Sequence, residues 1–247
     1  MTSSFRTLTL SPDTLNNLDQ LGYTEMTAIQ AASLPLALAG QDLIAQASTG
    51  SGKTAAFGLP LVEKLTANFH AVQGLVMCPT RELADQVTTE IRRLARATAN
   101  IKVVTLCGGV ALRGQEQSLQ HGAHVVVGTP GRILDHLTRG NLRLDSVKTL
   151  VLDEADRMLD MGFFDDMKQL IQQCPPKRQT LLFSATYPEG IAKLSAQFMR
   201  DPQTVKVQTV HQPDKIRQVF YEVREDERLH AVSLLLNHFK PESTLAF

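Results

Sequence analysis

The chain has 247 residues, 43% of them hydrophobic, and a formal net charge of zero. That composition suits a globular protein with a core of its own, and the length fits one large domain or one domain with part of another. Zero net charge gives no global pull toward nucleic acid or an anionic membrane, so any such binding must come from local contacts. Cys78, Cys107 and Cys174 are far apart and include no CxxC pair, which excludes zinc-finger spacing and a disulfide framework. Buried thiols in a reducing cytosol are expected instead. Residues 1–10 hold no apolar stretch of signal-peptide length, and runs such as 34–39 and 125–127 are too short for a bilayer. No membrane span is expected, and a cytoplasmic location is.

Ser11 caps a helix predicted from Pro12 to about Leu21, with Gly22 stopping it. Thr27 opens a second helix carrying Ile29 and Gln30, and Pro35 marks either a kink or its end. Residues 42–54 read as an apolar strand, a loop of small residues and a helix start. Gly50 and Gly52 allow the backbone to curl so that successive N–H groups point inward. The helix after them, reaching about Leu65, adds the positive end of its dipole to a nest suited to polyphosphate. Lys53 is spaced to reach the outer phosphates and Thr54 to hold Mg²⁺. The general phosphate-loop pattern has Gly where this chain has Ala47.

The pattern then repeats. Strands are predicted at 74–78, 102–106, 124–127, 149–153, 179–184 and 204–207, and helices at 81–96, 112–119, 132–138, 164–173 and 189–198. The strands are near-continuous apolar runs, as expected for strands buried on both faces. Their alternation with helices indicates a doubly wound parallel α/β sheet, whose ligands sit beyond the carboxyl ends of the strands. Residues 208–215 read as a polar linker around Pro213, 216–223 as a strand, 228–239 as a helix and 244–247 as the opening of another strand. Residues 216–247 are too few to bury a core of their own and read as the start of a second domain.

Asp153-Glu154 ends an apolar strand about a hundred residues after the phosphate loop, where a Mg²⁺-organising carboxylate belongs. Asp153 would hold Mg²⁺ through water and Glu154 would orient or deprotonate the attacking water. The alternative is a pair of acids favouring a helix dipole. Asp156 lies one turn on, within reach of Ser184 and Thr186, which either bridge to it or cap the helix near Pro188. Pro79-Thr80-Arg81-Glu82 and Thr129-Pro130-Gly131-Arg132 each join a strand end to a helix start, and Gly108-Gly109 lies between them in sequence. Together these could track successive phosphates of a nucleic-acid strand, or serve only as turns. Arg92, Arg93 and Arg96 read as a solvated helix face. With no Trp and three Tyr, base stacking should not dominate, and RNA would be told from DNA by its 2′-hydroxyl.

Taken together, these motifs resemble a DEAD-box RNA helicase. Ala47-Ser48-Thr49-Gly50-Ser51-Gly52-Lys53-Thr54 is that family's phosphate loop, which accounts for Ala47, and Asp153-Glu154-Ala155-Asp156 spells its name. Pro79–Ala84, Gly108-Gly109, Thr129–Arg132 and Ser184-Ala185-Thr186 follow in family order. Upstream, Phe5, Gly22, Tyr23, Thr27, Ile29 and Gln30 match the adenine-recognising segment, with Met26 where the family usually has proline. The resemblance covers essentially the whole chain. It implies a RecA-like domain over 1–207, with 216–247 opening a second one, and ATP with Mg²⁺ as ligands. In that reading Tyr23 stacks on adenine, Gln30 bonds its edge, Phe5 buttresses the pocket, and Ser48 to Thr54 hold the phosphates. Glu154 is catalytic, Asp153 and Thr54 face the metal, and residues 79–82, 108–109 and 129–132 hold RNA. A monomer is expected, lacking the second helicase domain that activity needs. The stretches 22–32, 106–109 and 118–121 resemble the bacterial DbpA type, which implies a ribosomal-RNA substrate and large-subunit assembly. A DNA-translocating enzyme of the same core and a non-catalytic RNA-binding module are the competing readings.

Overall fold

The computed structural model describes residues 4–207 and 219–245. The chain divides into two units, 1–209 and 210–247.

The described residues of the first unit hold seven parallel strands: β1 (Leu43–Gln46), β2 (Gly74–Met77), β3 (Val103–Leu106), β4 (Val125–Gly128), β5 (Thr149–Leu152), β6 (Gln179–Ser184) and β7 (Gln203–Lys206). Their order across the sheet is β3-β4-β2-β5-β6-β1-β7. Among the described residues, nine α-helices connect or precede them: α1 (Pro12–Gln20), α2 (Ala28–Leu38), α3 (Lys53–Glu63), α4 (Arg81–Leu94), α5 (Leu112–Gln120), α6 (Pro130–Thr138), α7 (Ala155–Asp160), α8 (Phe164–Gln173) and α9 (Glu189–Phe198).

Side chains along each strand alternate between two apolar layers. Leu181 and Phe183 enter the layer shared with α1 to α4, while Leu182 enters the layer shared with α6 to α9. Both faces are therefore covered, which is why the strands read as unbroken apolar runs. Each fully buried Leu or Phe contributes about 1.5–3 kcal/mol. At the end of β4 a Cβ on Gly128 would lie 2.1 Å from the Leu106 carbonyl oxygen. Only glycine fits that approach.

The predicted strands and helices fall within one or two residues of those observed, with three differences. Pro35 does not end α2; it lies in the last turn, and Ala39 N–H still bonds the Pro35 carbonyl at 3.1 Å. Proline there removes one helix bond and leaves the turn otherwise closed. Helix α6 starts two residues before the expected 132, because Pro130 occupies its first position. In the second unit, the described part of the expected strand, 219–223, carries no strand pairing. A two-residue period specifies a strand only where a neighbouring strand can accept it.

Linker positions 208–215 lie outside the described residues. Helix α10 (Arg228–Phe239) forms as expected, but none of its residues is buried, and Leu229 is 88% exposed.

Candidate active site

Because every strand runs the same way, all carboxyl ends open on one edge of the sheet. Ala47 extends the β1–β6 pairing by one bond, its N–H reaching the Ser184 carbonyl at 3.1 Å. The loop then turns through Gly50 (φ 79°) and Gly52 (φ 94°). A Cβ on Gly52 would stand 2.6 Å from Gln30 Nε2, so crowding and backbone angle both require glycine. Ser51 Oγ closes the loop by donating to the Ser48 carbonyl at 2.7 Å. Helix α3 begins at Lys53 with no side-chain cap. Its first N–H groups thus remain without an intrahelical or capping acceptor.

Beside this loop lies a cavity of about 530 Å³. Its lining includes Tyr23, Thr27, Gln30, Thr49, Gly50, Gly52, Lys53, Thr54, Asp153 and Glu154. Lys53 Nζ is buried and has no hydrogen-bond partner among the described residues. An unpaired buried ammonium costs several kcal/mol, and an anion in the cavity would supply the missing acceptors.

Asp153 ends β5 on the same cavity, its carboxyl fully buried. Burial pushes this carboxyl up to about 6, Lys53 pulls it down, and Glu154 pushes it up. Ionised, it would favour a cation. Glu154 has left-handed backbone (φ 49°), unusual for a residue with a side chain. Its Oε1 accepts from Thr49 Oγ1 and its Oε2 from Arg157 Nη1, each at 3.1 Å. Lys53 and the two carboxylates therefore share one cavity although they come from β1 and β5.

The raised Asp153 carboxyl has a consequence for stability. The folded chain keeps this proton to a higher pH than the unfolded chain, whose ordinary value is 3.8. Ionisation thus costs the folded state, and stability falls as pH rises through the window from about 4 to 6. Denaturant titrations of the metal-free chain should show Asp153→Asn lacking about 1–2 kcal/mol of the loss seen between pH 5 and 7.5. Parallel pH profiles for the two proteins would contradict this.

Strand β6 lies between β5 and β1, which brings Ser184 and Thr186 beside Asp156. Asp156 Oδ2 accepts from the Thr186 N–H and Oγ1, both at 2.8 Å, and the Asp156 N–H donates to Ser184 Oγ at 3.2 Å. Burial raises the Asp156 carboxyl, but the bonds from Thr186 outweigh it and hold the group below its usual range. The capping alternative does not hold: the residue capping α9 is Pro188, and no side chain bonds there.

Gln30 has a role the sequence did not display. Its Oε1 accepts from the Thr27 N–H at 2.9 Å, and its Nε2 donates to the Gly52 carbonyl at 3.0 Å. It therefore ties α2 to the phosphate loop and retains one N–H and one lone pair for a ligand. Phe5 stays out of the cavity lining and meets Tyr23 edge-on, ring centroids 5.8 Å apart. Tyr23 O–H donates to Glu90. Leu83, Gln86 and Glu90 of α4 also line the cavity. They were missed because a helix face at ordinary core spacing carries no motif.

The other motif loops gather on the far half of the same edge, after β2, β3 and β4. Thr80 caps α4, its Oγ1 accepting from the Leu83 N–H at 3.3 Å, and leaves Arg81 half-exposed with Glu82 beside it. A Cβ on Gly109 would lie 3.6 Å from Arg81 Nη1, so these two loops are neighbours. Pro79 follows β2, while Thr129, Pro130 and Gly131 lead from β4 into α6. Arg132 Nη1 donates to the Val110 carbonyl and to Gln115 Oε1, both at 3.2 Å, and Gln115 Nε2 donates to the Cys107 carbonyl at 2.8 Å. The turn at Gly108-Gly109 is thus pinned on both sides. Gln115, which carries no motif signal, does half of that pinning. Arg92 is exposed on its helix face as expected, and its Nη2 also bonds the Val103 carbonyl of edge strand β3 at 2.7 Å. All three cysteines are free and buried, and no helix among the described residues is long and apolar enough to cross a membrane.

Comparison with known proteins bears on this geometry. Residues 27–194 match the family model of the DEAD/DEAH box helicases. The ATP-dependent RNA helicase DbpA of Escherichia coli is 51% identical over 99% of this chain and 54% of its own. The DEAD-box ATP-dependent RNA helicase CshA of Geobacillus kaustophilus is 44% identical over 99% of this chain and 52% of its own. The chain thus spans about half the length of the curated relatives it matches. The crystal structure of a DEAD box protein from Methanococcus jannaschii superposes with a TM-score of 0.80 at 42% identity, covering 94% of this chain and 63% of that one. With motif order, parallel sheet and sequence identity all in agreement, the chain belongs to the DEAD/DEAH box helicase family.

Proposed function

We propose that this chain is the ATP-binding half of an ATP-dependent RNA helicase, with residues 1–207 as its N-terminal RecA-like domain and 216–247 opening a second. The observation that carries the reading is the shared cavity. An unpartnered lysine ammonium and a carboxyl forced upward by burial both face it. A magnesium polyphosphate answers both: anionic oxygens for Lys53, a cation for Asp153. Gly50 to Thr54 cradle the phosphates, with Ser48 and Thr49 completing the loop, and Thr54 and Asp153 face Mg²⁺. Bound Mg²⁺ would neutralise developing charge on the phosphates. Tyr23, buttressed by Phe5, stacks on adenine. Gln30 reads its edge with the N–H and lone pair left over, and Thr27 fixes Gln30. Glu154 takes the proton of the attacking water.

Pro79 to Glu82, Gly108-Gly109 and Thr129 to Arg132 hold the RNA backbone. The bonds from Asp156 to Ser184 and Thr186 link the β5 end carrying Asp153 to the β6 end. The finer part of the proposal is a ribosomal-RNA target in large-subunit assembly, in a cytoplasmic protein that is monomeric. It rests on the DbpA-type stretches at 22–32, 106–109 and 118–121. The test is ATP hydrolysis by a protein joining this chain to a second helicase domain. Single-stranded RNA should stimulate it and single-stranded DNA of the same sequence should not. Equal stimulation, or none, would contradict the proposal.

A further inference from the structure

Leu83, Gln86 and Glu90 stand at i, i+3 and i+7 on α4, so one face of that helix forms a wall of the cavity. Glu90 is its ionisable member, with a side chain 17% exposed. One carboxylate oxygen accepts from the Tyr23 hydroxyl, and the other pairs with Arg93 Nη1 at 2.8 Å. The Tyr23 ring is otherwise fixed by the edge of Phe5 and by its own N–H, which bonds the Leu18 carbonyl at 3.0 Å. Neither contact stops the ring from swinging about the Cα–Cβ bond, whereas a bond at the hydroxyl fixes its far end. Burial first, and the bond to Glu90 second, hold the phenol proton well above its ordinary range. Tyr23 is therefore the donor across the accessible pH range.

We propose that Glu90 is a positioning residue for nucleobase recognition. It sets the position of the Tyr23 ring, and thereby the register in which a stacked base meets Gln30. The proposal rests on the nucleotide reading above. Base selectivity then depends on Glu90, whereas phosphate affinity does not. An aromatic platform recognises every base alike through its face. Discrimination requires that the edge of the base arrive at fixed donors and acceptors, which a mobile platform would blur.

The test is calorimetric titration of this chain with Mg²⁺ and ADP, GDP or tripolyphosphate. Glu90→Ala should weaken ADP about five- to tenfold, the net value of one typical hydrogen bond. It should also lower the ratio of ADP to GDP affinity and leave tripolyphosphate unchanged. Glu90→Gln, whose amide oxygen can still accept from the phenol, should restore ADP to within about twofold. Tyr23→Phe should reproduce the Glu90→Ala loss, and the two together should cost no more than either alone, because they remove one bond. Unchanged ADP affinity in Glu90→Ala would overturn the proposal, as would equal loss of ADP and tripolyphosphate. Failure of the wild-type chain to bind ADP or tripolyphosphate would instead overturn the nucleotide reading, and this inference with it.

Discussion

This chain alone is expected to hydrolyse ATP about 10³ to 10⁵ times more slowly than the same chain joined to a second helicase domain, even with RNA present. The reason is visible in the charges around the cavity. Among the described residues, Lys53 is the one cation lining it. Arg157 is engaged by Glu154, while Arg81 and Arg132 stand after β2 and β4, on the far half of the sheet edge. Transfer of a phosphoryl group spreads negative charge over three equatorial oxygens, and an arginine reaching that charge is worth the stated factor. On the function proposed above, a second helicase domain is expected to supply such an arginine. Steady-state phosphate release from both proteins, with saturating RNA, measures the difference. Turnover by the chain alone within about tenfold of the joined protein would show that the cavity is already complete, against the 10³ expected.

Glu154→Gln should produce the second large effect, a fall of about 10² to 10⁴ in turnover by the two-domain protein, with nucleotide affinity nearly unchanged. The substitution keeps an oxygen to accept from Thr49 Oγ1, now at 3.1 Å from Oε1. What is lost is the base, and the Arg157 pair. That pair is a partly exposed one whose loss should cost at most about 1 kcal/mol. Rate and affinity are measured separately, by turnover at saturating ATP and by ADP titration. A rate that survives would move the base elsewhere; a rate that falls only as affinity falls would make Glu154 a binding residue.

The parts of this molecule legible in the sequence are those where backbone geometry leaves a chemical trace. Gly52 is readable because no side chain fits beside Gln30 and Thr27, and the apolar run at 150–152 because β5 is covered on both faces. The pairing of Asp156 with Ser184 and Thr186 was legible as a distance argument, once both were assigned to neighbouring strand ends. What was not legible is contact made by ordinary residues. Gln115 joins the Arg132 loop to the turn at Gly108-Gly109, and Glu90 holds Tyr23, yet each sits on a helix at spacing that implies nothing by itself. Arg92 is the exposed helix-face charge it looked like, but its bond to Val103 was hidden because sequence shows the helix face and not the edge strand beside it. Pro35 did not mark a stop, since α2 runs three residues past it to Leu38. The alternation at 219–223 misled because a strand exists only with a partner.

The central claim is that a nucleotide's phosphates rest on the turn ending in Lys53-Thr54, with their metal facing Asp153. A crystal of this chain soaked with Mg²⁺ and ADP tests it most directly. The expected map has the phosphates against the N–H groups of residues 50–54 and within bonding distance of Lys53 Nζ, with the metal on the Asp153 side. Nucleotide bound elsewhere on the fold, or no density in this cavity at saturating ligand, would contradict the account.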